Sequence, residues 1–442
     1  MEEYLAIMMF PALLACILAG FPVAFTLAGT ALLFALLGHH FDMFYLADLN
    51  FIPMRVFGVA QNILLMAVPL FVFMGLMLER SGLAADLLSS LSRLFNRQRG
   101  SLAISVVAVG AILAASTGIV GATVVTMGVL ALPVMLQQGF DKKLSLGVIS
   151  ASGTLGQIIP PSIVLVILGD MMNVDVSRLF MGAILPGFLL ILAYVAYIKW
   201  RLFITPSLAP QPKKDHSLLK ELKNPLLWQA LLPPVALMLA VLGSIFAGIA
   251  SPTEAAACGA TLSILFTFFK KRLSKKALYE VAAETAQVTS MVFFILVGAQ
   301  FFGVVFRGLS GDEIITTFVS ELSIHKGYIL FFLMVLLFVL GFFLDFLEIC
   351  FIVIPIIMPM MHSLGYDPLW LAILIAVNLQ TSFLTPPFGF ALFYLKGVAP
   401  KNVTTLDVYK GATPFVLIQI AVITLLCLFP KIVTFLPAHF SK

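Results

Sequence analysis

The stretch Ser150-Ala-Ser-Gly-Thr-Leu-Gly-Gln-Ile-Ile-Pro-Pro-Ser162 interrupts one of the long apolar runs of this chain. A second stretch, Ala376-Val-Asn-Leu-Gln-Thr-Ser-Phe-Leu-Thr-Pro-Pro-Phe388, interrupts another run in the same way. Each proline pair removes backbone donors and ends the helix before it. If these runs cross a membrane, the irregular backbone at that depth must be buried in protein or line a cavity. Two such breaks in corresponding halves of a chain predict the binding site of a secondary transporter.

The composition indicates whether the chain lies in water or in a membrane. Of its 442 residues, 61% are hydrophobic and 11% are charged, whereas a soluble protein has roughly a quarter charged. The apolar runs are mostly continuous, while the strands of a membrane β-barrel alternate. We therefore predict an all-α polytopic membrane protein in a lipid bilayer. The net charge of +5 lies in short basic blocks between apolar segments, a pattern that sets membrane orientation and does not indicate nucleic-acid binding.

The second half of the sequence repeats the first. Small and turn-forming residues recur at a constant offset, pairing Pro133, Gly139, Asp141 and Pro160-Pro161 with Pro359, Gly365, Asp367 and Pro386-Pro387. In each half we predict three spans, an interfacial arm helix, a re-entrant hairpin, a broken helix and a final span. Because each half then crosses the membrane an odd number of times, the second copy is inverted. The predicted units are a first repeat at 1–204, a cytoplasmic linker at 205–226, a second repeat at 227–442, hairpins at 101–138 and 327–361, and broken helices at 143–172 and 369–397.

One segment allows two interpretations. The run at 101–138 is too long for one span, and Ser116-Thr117-Gly118 interrupts it near its centre. A re-entrant hairpin with its tip inside the membrane is the prediction, and two full spans joined by a tight turn are the alternative. The preceding stretch at 80–99 has leucines at helical spacing with charges between them, which is typical of an interfacial amphipathic helix.

The basic residues predict the topology. With 80–99 on the cytoplasmic side, 20 of the 26 lysines and arginines lie inside, as the positive-inside rule requires. Both termini then lie outside. The six basic residues on the outer side are Arg55, Arg178, Arg307, Lys326, Lys431 and Lys442.

Polar side chains gather at the predicted tips and breaks. Hydroxyl, amide and carbonyl oxygens are hard ligands suited to sodium, and no soft-ligand cluster competes for a transition metal. Helix N-termini at the same places favour an anion. The residues of the first tip and break are Ser116, Thr117, Gly118, Ser150, Ser152, Thr154 and Gln157; those of the second are Gly341, Asp345, Asn378, Gln380, Thr381, Ser382 and Thr385.

Three acidic residues lie in or beside apolar runs, where an ionisable group is by default a functional candidate. Asp345 is expected to contact sodium or substrate, with a structural helix cap as the alternative. Glu348 is expected to stabilise the start of the helix that follows. Glu254 is expected to act as an N-terminal cap or in a capping box with Ser251, with a substrate ligand as the alternative.

Four stretches together resemble the large membrane subunit of tripartite ATP-independent periplasmic (TRAP) transporters, over essentially the whole chain. They are Ser116-Thr-Gly-Ile-Val-Gly-Ala-Thr-Val124, Gly153-Thr-Leu-Gly-Gln-Ile-Ile-Pro-Pro-Ser162, Ser251-Pro-Thr-Glu-Ala-Ala-Ala257 and Leu384-Thr-Pro-Pro-Phe-Gly389. The resemblance implies a multi-pass protein of the bacterial inner membrane that works with a small four-span subunit and a periplasmic substrate-binding protein. It also implies an elevator mechanism, in which both hairpins and both broken helices move against a scaffold formed by the other spans and the small subunit.

The resemblance implies particular site residues as well. At least two sodium ions are expected and no organic cofactor. One sodium site would lie between the tip at Ser116, Thr117 and Gly118 and the break at Ser152 and Thr154, and a second between Gly341 and Asp345 and the break at Asn378, Gln380 and Thr381. Substrate would lie near Ser116, Ser152, Ser162 and Asp345.

The expected function is sodium-coupled import of an organic acid, either sialic acid or a four-carbon dicarboxylate. A gated anion channel is one alternative. An integral membrane enzyme is another, although the chain has no G-x-x-x-x-G-K-[ST], H-E-x-x-H or G-x-S-x-G motif. We therefore do not expect an enzyme.

Overall fold

The computed structural model describes residues 4–95, 99–117, 120–211, 223–321 and 324–440. Within these ranges the secondary structure is helical and contains no strand. Nine of the described helices are long and apolar enough to cross a membrane. The predicted class, an all-α polytopic membrane protein, is confirmed.

The two halves contain similar elements in a similar order, except that Phe51–Gln61 in the first half and Lys431–Phe440 in the second have no counterpart. The helices of the first half are Leu5–Leu18, Val23–His40, Phe51–Gln61, Ala67–Arg80, Leu83–Leu94, Ser101–Thr117, Val120–Gln137, Lys142–Thr154, Ile163–Met171 and Val176–Ile204. Those of the second half are Pro225–Phe246, Pro252–Phe269, Lys275–Gly308, Gly311–Glu321, Lys326–Leu340, Phe346–Ser363, Pro368–Phe383, Phe390–Val398, Thr405–Leu428 and Lys431–Phe440. The inversion of the second half stays a prediction.

Corresponding residues form corresponding helix starts. Gly139 and Gly365 both have left-handed backbones, with φ of +85° and +74°. Two residues later, Asp141 accepts a hydrogen bond from the Leu144 N–H and Asp367 one from the Leu369 N–H, at 2.8 Å in both cases. A glycine that ends one helix and an aspartate that caps the next are the local signals for this turn. The two broken helices begin at Lys142 and Pro368, one residue before the predicted starts at 143 and 369.

The first arm helix, Leu83–Leu94, is amphipathic as predicted, because Leu83, Leu87, Leu88 and Leu91 are buried on one face. It begins after Gly82, whose φ is +68°. The Arg272 guanidinium occupies the space that a side chain at residue 82 would need, and it donates to the Ser81 carbonyl at 2.8 Å. Only glycine satisfies both conditions at this position.

The early spans of the two halves pack on each other and form the first of two bodies, which we call the scaffold. Val23–His40 lies along Lys275–Gly308, and Ala67–Arg80 lies along Pro252–Phe269. A Cβ added at Gly298 would meet the Ala24 carbonyl oxygen at 2.5 Å, so the first of these helix pairs is in backbone contact. Small residues allow such approaches between membrane helices.

The second body, which we call the core, contains the hairpins, the broken helices and the last span of each half. The resemblance implies that the last spans belong to the scaffold, whereas here they pack on the broken helices; which elements move together stays a prediction. Thr405–Leu428 lies against Lys142–Thr154, where a Cβ on Gly147 would overlap the Gly411 carbonyl. The other last span, Val176–Ile204, packs on both broken helices. Glycine–glycine contact is visible only in three dimensions, because the two residues are far apart in sequence.

The last helix of the described residues is short and was not predicted from the sequence. Lys431–Phe440 follows the last span and packs on Val176–Ile204. Its buried residues are Val433 and Pro437. It therefore covers part of the core at the predicted outer end.

Candidate functional site

The two proline pairs break their helices as predicted. Lys142–Thr154 ends in a short 3-10 turn at Leu155–Gln157, and helix resumes at Ile163. Pro368–Phe383 is followed by irregular backbone until Phe390. Both Pro-Pro peptide bonds are cis. The turns at the breaks use some of the last carbonyls: the Leu155 carbonyl accepts from the Ile158 N–H at 3.1 Å, and the Thr381 carbonyl from the Leu384 N–H at 3.1 Å. Each carbonyl keeps a second lone pair.

The first hairpin, Ser101–Thr117 and Val120–Gln137, brings its tip beside the first break. A Cβ added at Gly156 would lie 3.1 Å from the Ala114 carbonyl oxygen. Past the tip, a Cβ at Gly121 would lie 3.0 Å from the ring of Tyr394, in the second broken helix. The helices on either side of the tip thus contact both broken helices. The re-entrant hairpin stays a prediction, with two full spans as the alternative. Ser116 and Thr117 belong to its first helix, and Gly118 lies outside the described residues.

The second hairpin, Lys326–Leu340 and Phe346–Ser363, packs its tip on the second break. The Ser382 hydroxyl fills the space beside Gly341. Asp345 accepts a hydrogen bond from the Phe346 N–H at 2.8 Å, and the Glu348 carboxylate accepts one from the Asp345 N–H at 3.0 Å. Together they form a capping box. The structure thus shows the cap role of Asp345, and the predicted role of Glu348 is observed in the same box.

The other predicted capping box is also present. Glu254 accepts from the backbone N–H and the hydroxyl of Ser251, both at 2.8 Å, and its own N–H faces the Ser251 hydroxyl at 3.3 Å. Its position at the start of Pro252–Phe269 lies in the scaffold. Glu254 therefore has a structural role, as the sequence indicated.

The hydroxyls predicted to bind ligands at the first break bond to the chain itself. Ser152 donates to the Ile149 carbonyl at 3.0 Å and Thr154 to the Ala151 carbonyl at 3.0 Å. Ser162 donates to the Gln157 carbonyl at 2.9 Å, across the break. All three are fully buried. Their oxygens keep free lone pairs, so they can still accept a cation.

The second break uses its side chains similarly. Asn378 donates from Nδ2 to the Met334 carbonyl at 2.8 Å and so ties the break to the second hairpin. Thr381 donates to the Val377 carbonyl at 2.7 Å. The second break is therefore in contact with the second hairpin, while the sodium site expected between them stays a prediction.

The two breaks also contact each other, and this contact was not predicted from the sequence. Gln380 Nε2 lies 3.4 Å from the Thr154 hydroxyl, and it also hydrogen-bonds Tyr194. The Tyr194 hydroxyl accepts from Gln419 Nε2 at 2.7 Å. All four side chains are fully buried. Tyr194 and Gln419 were missed; their only sequence signal is a polar group inside an apolar span.

Several buried amide atoms in this region have no hydrogen-bond partner among the described atoms. They are Gln157 Nε2 and Oε1, Gln380 Oε1 and Gln419 Oε1. Buried polar atoms are almost always paired, by protein, water or an ion. Amide oxygens are hard ligands, so the residues present fit a sodium ion.

A membrane protein with two hairpin tips on two broken helices, joined through a buried polar cluster, is built as a secondary transporter. The profile of one family, described as the tripartite ATP-independent periplasmic transporter, DctM component, matches residues 10–432. The chain belongs to this family and is not an enzyme.

Several similar proteins are also named as permease proteins of TRAP transporters. The chain is 32% identical to the C4-dicarboxylate TRAP transporter large permease protein DctM of Pseudomonas aeruginosa, covering 88% of this chain and 87% of that protein. It is 27% identical to the sialic acid large permease protein SiaM of Vibrio cholerae, covering 97% of each. It is 30% identical to the isethionate permease protein DctMQ of Oleidesulfovibrio alaskensis, covering 95% of this chain but 64% of that protein.

A solved structure shares the fold. The YdaH transporter of Alcanivorax borkumensis superimposes with a TM-score of 0.62 at 15% sequence identity, covering 86% of this chain and 87% of that one. At this identity the likeness concerns the fold alone.

Proposed function

We propose that the chain is the large permease subunit of a sodium-coupled symporter that imports an organic acid across the bacterial inner membrane. The observation that carries the proposal is the paired arrangement of tips and breaks, joined where Gln380 meets Thr154. Half-helix N-termini after each break favour the acid group, and carbonyls before each break favour sodium.

An acidic substrate has independent support. The relatives named above carry isethionate, C4-dicarboxylate or sialic acid in their names. All three are organic acids that are anionic near neutral pH. A four-carbon dicarboxylate and sialic acid are the substrates that we propose first, with isethionate as a third.

Sodium coupling is supported by the chemistry of the buried oxygens. The unpaired Oε1 atoms of Gln157 and Gln380, with the hydroxyls of Ser152, Thr154 and Thr381, form a neutral set of hard ligands. The carboxylate of Asp345 adds a hard oxygen ligand at the second predicted sodium site.

An elevator mechanism is supported by the two bodies. The core would move against the scaffold, and the arm helices Leu83–Leu94 and Gly311–Glu321 would join them. A small four-span subunit would extend the scaffold, and a periplasmic binding protein would deliver the substrate. The family description, tripartite, agrees with three components.

The test is uptake by proteoliposomes that contain this chain, its small subunit and a candidate binding protein. Labelled succinate, sialic acid and isethionate are offered with and without an inward sodium gradient. We expect accumulation of one acid above its equilibrium level with the gradient, and none when potassium replaces sodium. Equilibration without accumulation, independent of sodium, would instead support a gated anion channel.

A further inference from the structure

Two arginines from distant parts of the scaffold line one cavity of about 200 Å³. Arg55 comes from the short helix Phe51–Gln61, and Arg307 from the last turn of Lys275–Gly308. Both were assigned to the outer side by the charge pattern, and both side chains are exposed. The structure thus brings together two of the six basic residues predicted outside.

Neither guanidinium has a carboxylate within 4.0 Å among the described residues. Arg307 donates from Nε to the Gly303 carbonyl of its own helix at 3.1 Å. Among the described residues, the ion pairs within 4.0 Å involve other cations: Arg80, Lys142, Lys270, Arg272 and Lys276. The forked donors of the two arginines are therefore left to face the cavity.

Two carboxylates also line the cavity, and each has another role. Asp170 accepts a hydrogen bond from Asn62 Nδ2 at 2.8 Å. Asp312 lies in the first turn of Gly311–Glu321, where a negative charge stabilises the helix N-terminus. Burial raises the pKa of the Asp312 carboxyl, while the nearby Arg307 acts in the opposite direction. The two acids reduce the positive charge of the cavity without pairing with either arginine.

The remaining wall belongs to the core. Met171 ends the first broken helix, and Phe351, Ile352 and Pro355 lie on the second hairpin. This part of the hairpin contains a five-residue π-helical turn at Ile349–Val353, a feature that is frequent at functional sites. The arginines thus lie on the scaffold side of a cavity whose other side would move.

We propose that Arg55 and Arg307 form an outer anion site that receives the acid group of the substrate before it reaches the hairpin tips. This inference rests on the proposed function, since an outer site for the substrate presupposes import of an acid. The cavity lies at the predicted outer end of the boundary between scaffold and core. Guanidinium groups bind carboxylates and sulfonates through paired donors, whatever the rest of the molecule is. The same site would therefore serve acids of different shapes.

The direct test is chemical protection in the purified complex of this chain with its small subunit. Phenylglyoxal modifies accessible arginines, and peptide mass spectrometry measures the rate at each position. Succinate, sialic acid or isethionate should slow modification of Arg55 and Arg307 roughly fivefold, because a bound acid occupies their donors. Arg178, which is exposed at the same end but does not line the cavity, is the internal control.

Equal rates at all three arginines, with and without acid, would overturn the proposal. Protection that occurs only when the binding protein is added would overturn it too, and would assign the arginines to a protein contact. This test needs no transport. Protection without any sodium-driven uptake would therefore contradict the proposed function and leave the anion site standing.

Variants extend the test to uptake. Arg307→Gln and Arg55→Gln should each lower the uptake rate about tenfold, Arg→Lys at the same positions should restore part of it, and Arg178→Gln should leave it unchanged. Asp312→Asn should raise the rate at low substrate, since it removes an opposing charge from the cavity. Full uptake by the double Gln variant would contradict the role of the site.

Discussion

At the scale of single residues, Asp345 shows how one side chain serves structure while facing a proposed site. Its carboxylate caps the second half of the hairpin, and Glu348 closes the box from the other side. Its carboxylate accepts from the Phe346 N–H at 2.8 Å and, in the box, from the Glu348 N–H. A carboxylate has about four acceptor positions, so these bonds leave room for a cation. The two expectations for this residue are therefore compatible.

Replacing Asp345 by Asn separates the two roles. Asparagine caps helices about as well as aspartate, so the thermal midpoint of the purified protein should change little. Sodium-dependent uptake should fall, because the charge near the proposed second sodium site is lost. Uptake is measured as a function of sodium concentration. A variant with the sodium dependence of the parent would show that the residue acts as a cap alone.

At the scale of elements, the broken helices depend on close packing with the last spans. Lys142–Thr154 and Thr405–Leu428 meet at Gly147 and Gly411, where each backbone fills the space that a side chain would need. The contact holds the first break in position from the side opposite the first hairpin. Any added atom must push the two backbones apart.

Gly147→Ala should therefore destabilise the protein by about 1–3 kcal/mol, the usual cost of overpacking. Gly29→Ala is the matched control, since Gly29 also lies within a helix but has no atom within 4 Å of an added Cβ. Its helix should become more stable by about 0.5–1 kcal/mol. Thermal unfolding in detergent compares the two variants. Equal midpoints would mean that the glycine contact is not tight.

At the scale of the whole molecule, scaffold and core meet at both ends of one scaffold helix. Asn62, just before Ile63–Arg80, bonds Asp170 of the core. Glu79, at the other end, accepts a hydrogen bond from Thr126 on the first hairpin. A movement of the core along the membrane normal would have to exchange both contacts.

The predicted topology belongs to the same scale. With both termini outside, a C-terminal alkaline phosphatase fusion should be active and a C-terminal green fluorescent protein fusion should be dark. A fusion after Lys271, in the turn between Pro252–Phe269 and Lys275–Gly308, should give the opposite pair of results. A fluorescent C-terminal fusion would contradict the orientation and would place the Arg55 cavity on the cytoplasmic side.

The sequence by itself determined the membrane class, the two breaks and the helix caps. These features depend on local chemistry: apolar run length, missing proline donors, and aspartate or serine before a helix. The sequence alone also showed that Asp141 and Asp367 have the same separation as the other repeated pairs. Such signals lie within a few residues of the structure that they cause.

Only the tertiary structure decided which distant residues meet. It showed that Thr154 meets Gln380, that the last spans pack on the broken helices, and that Arg55 and Arg307 line the same cavity. Lipid tails and protein interiors are equally apolar, so a hydrophobic helix does not show in its sequence which neighbour it packs against. Steric fit between small residues and pairing of buried polar groups make that choice, and both require three-dimensional contact.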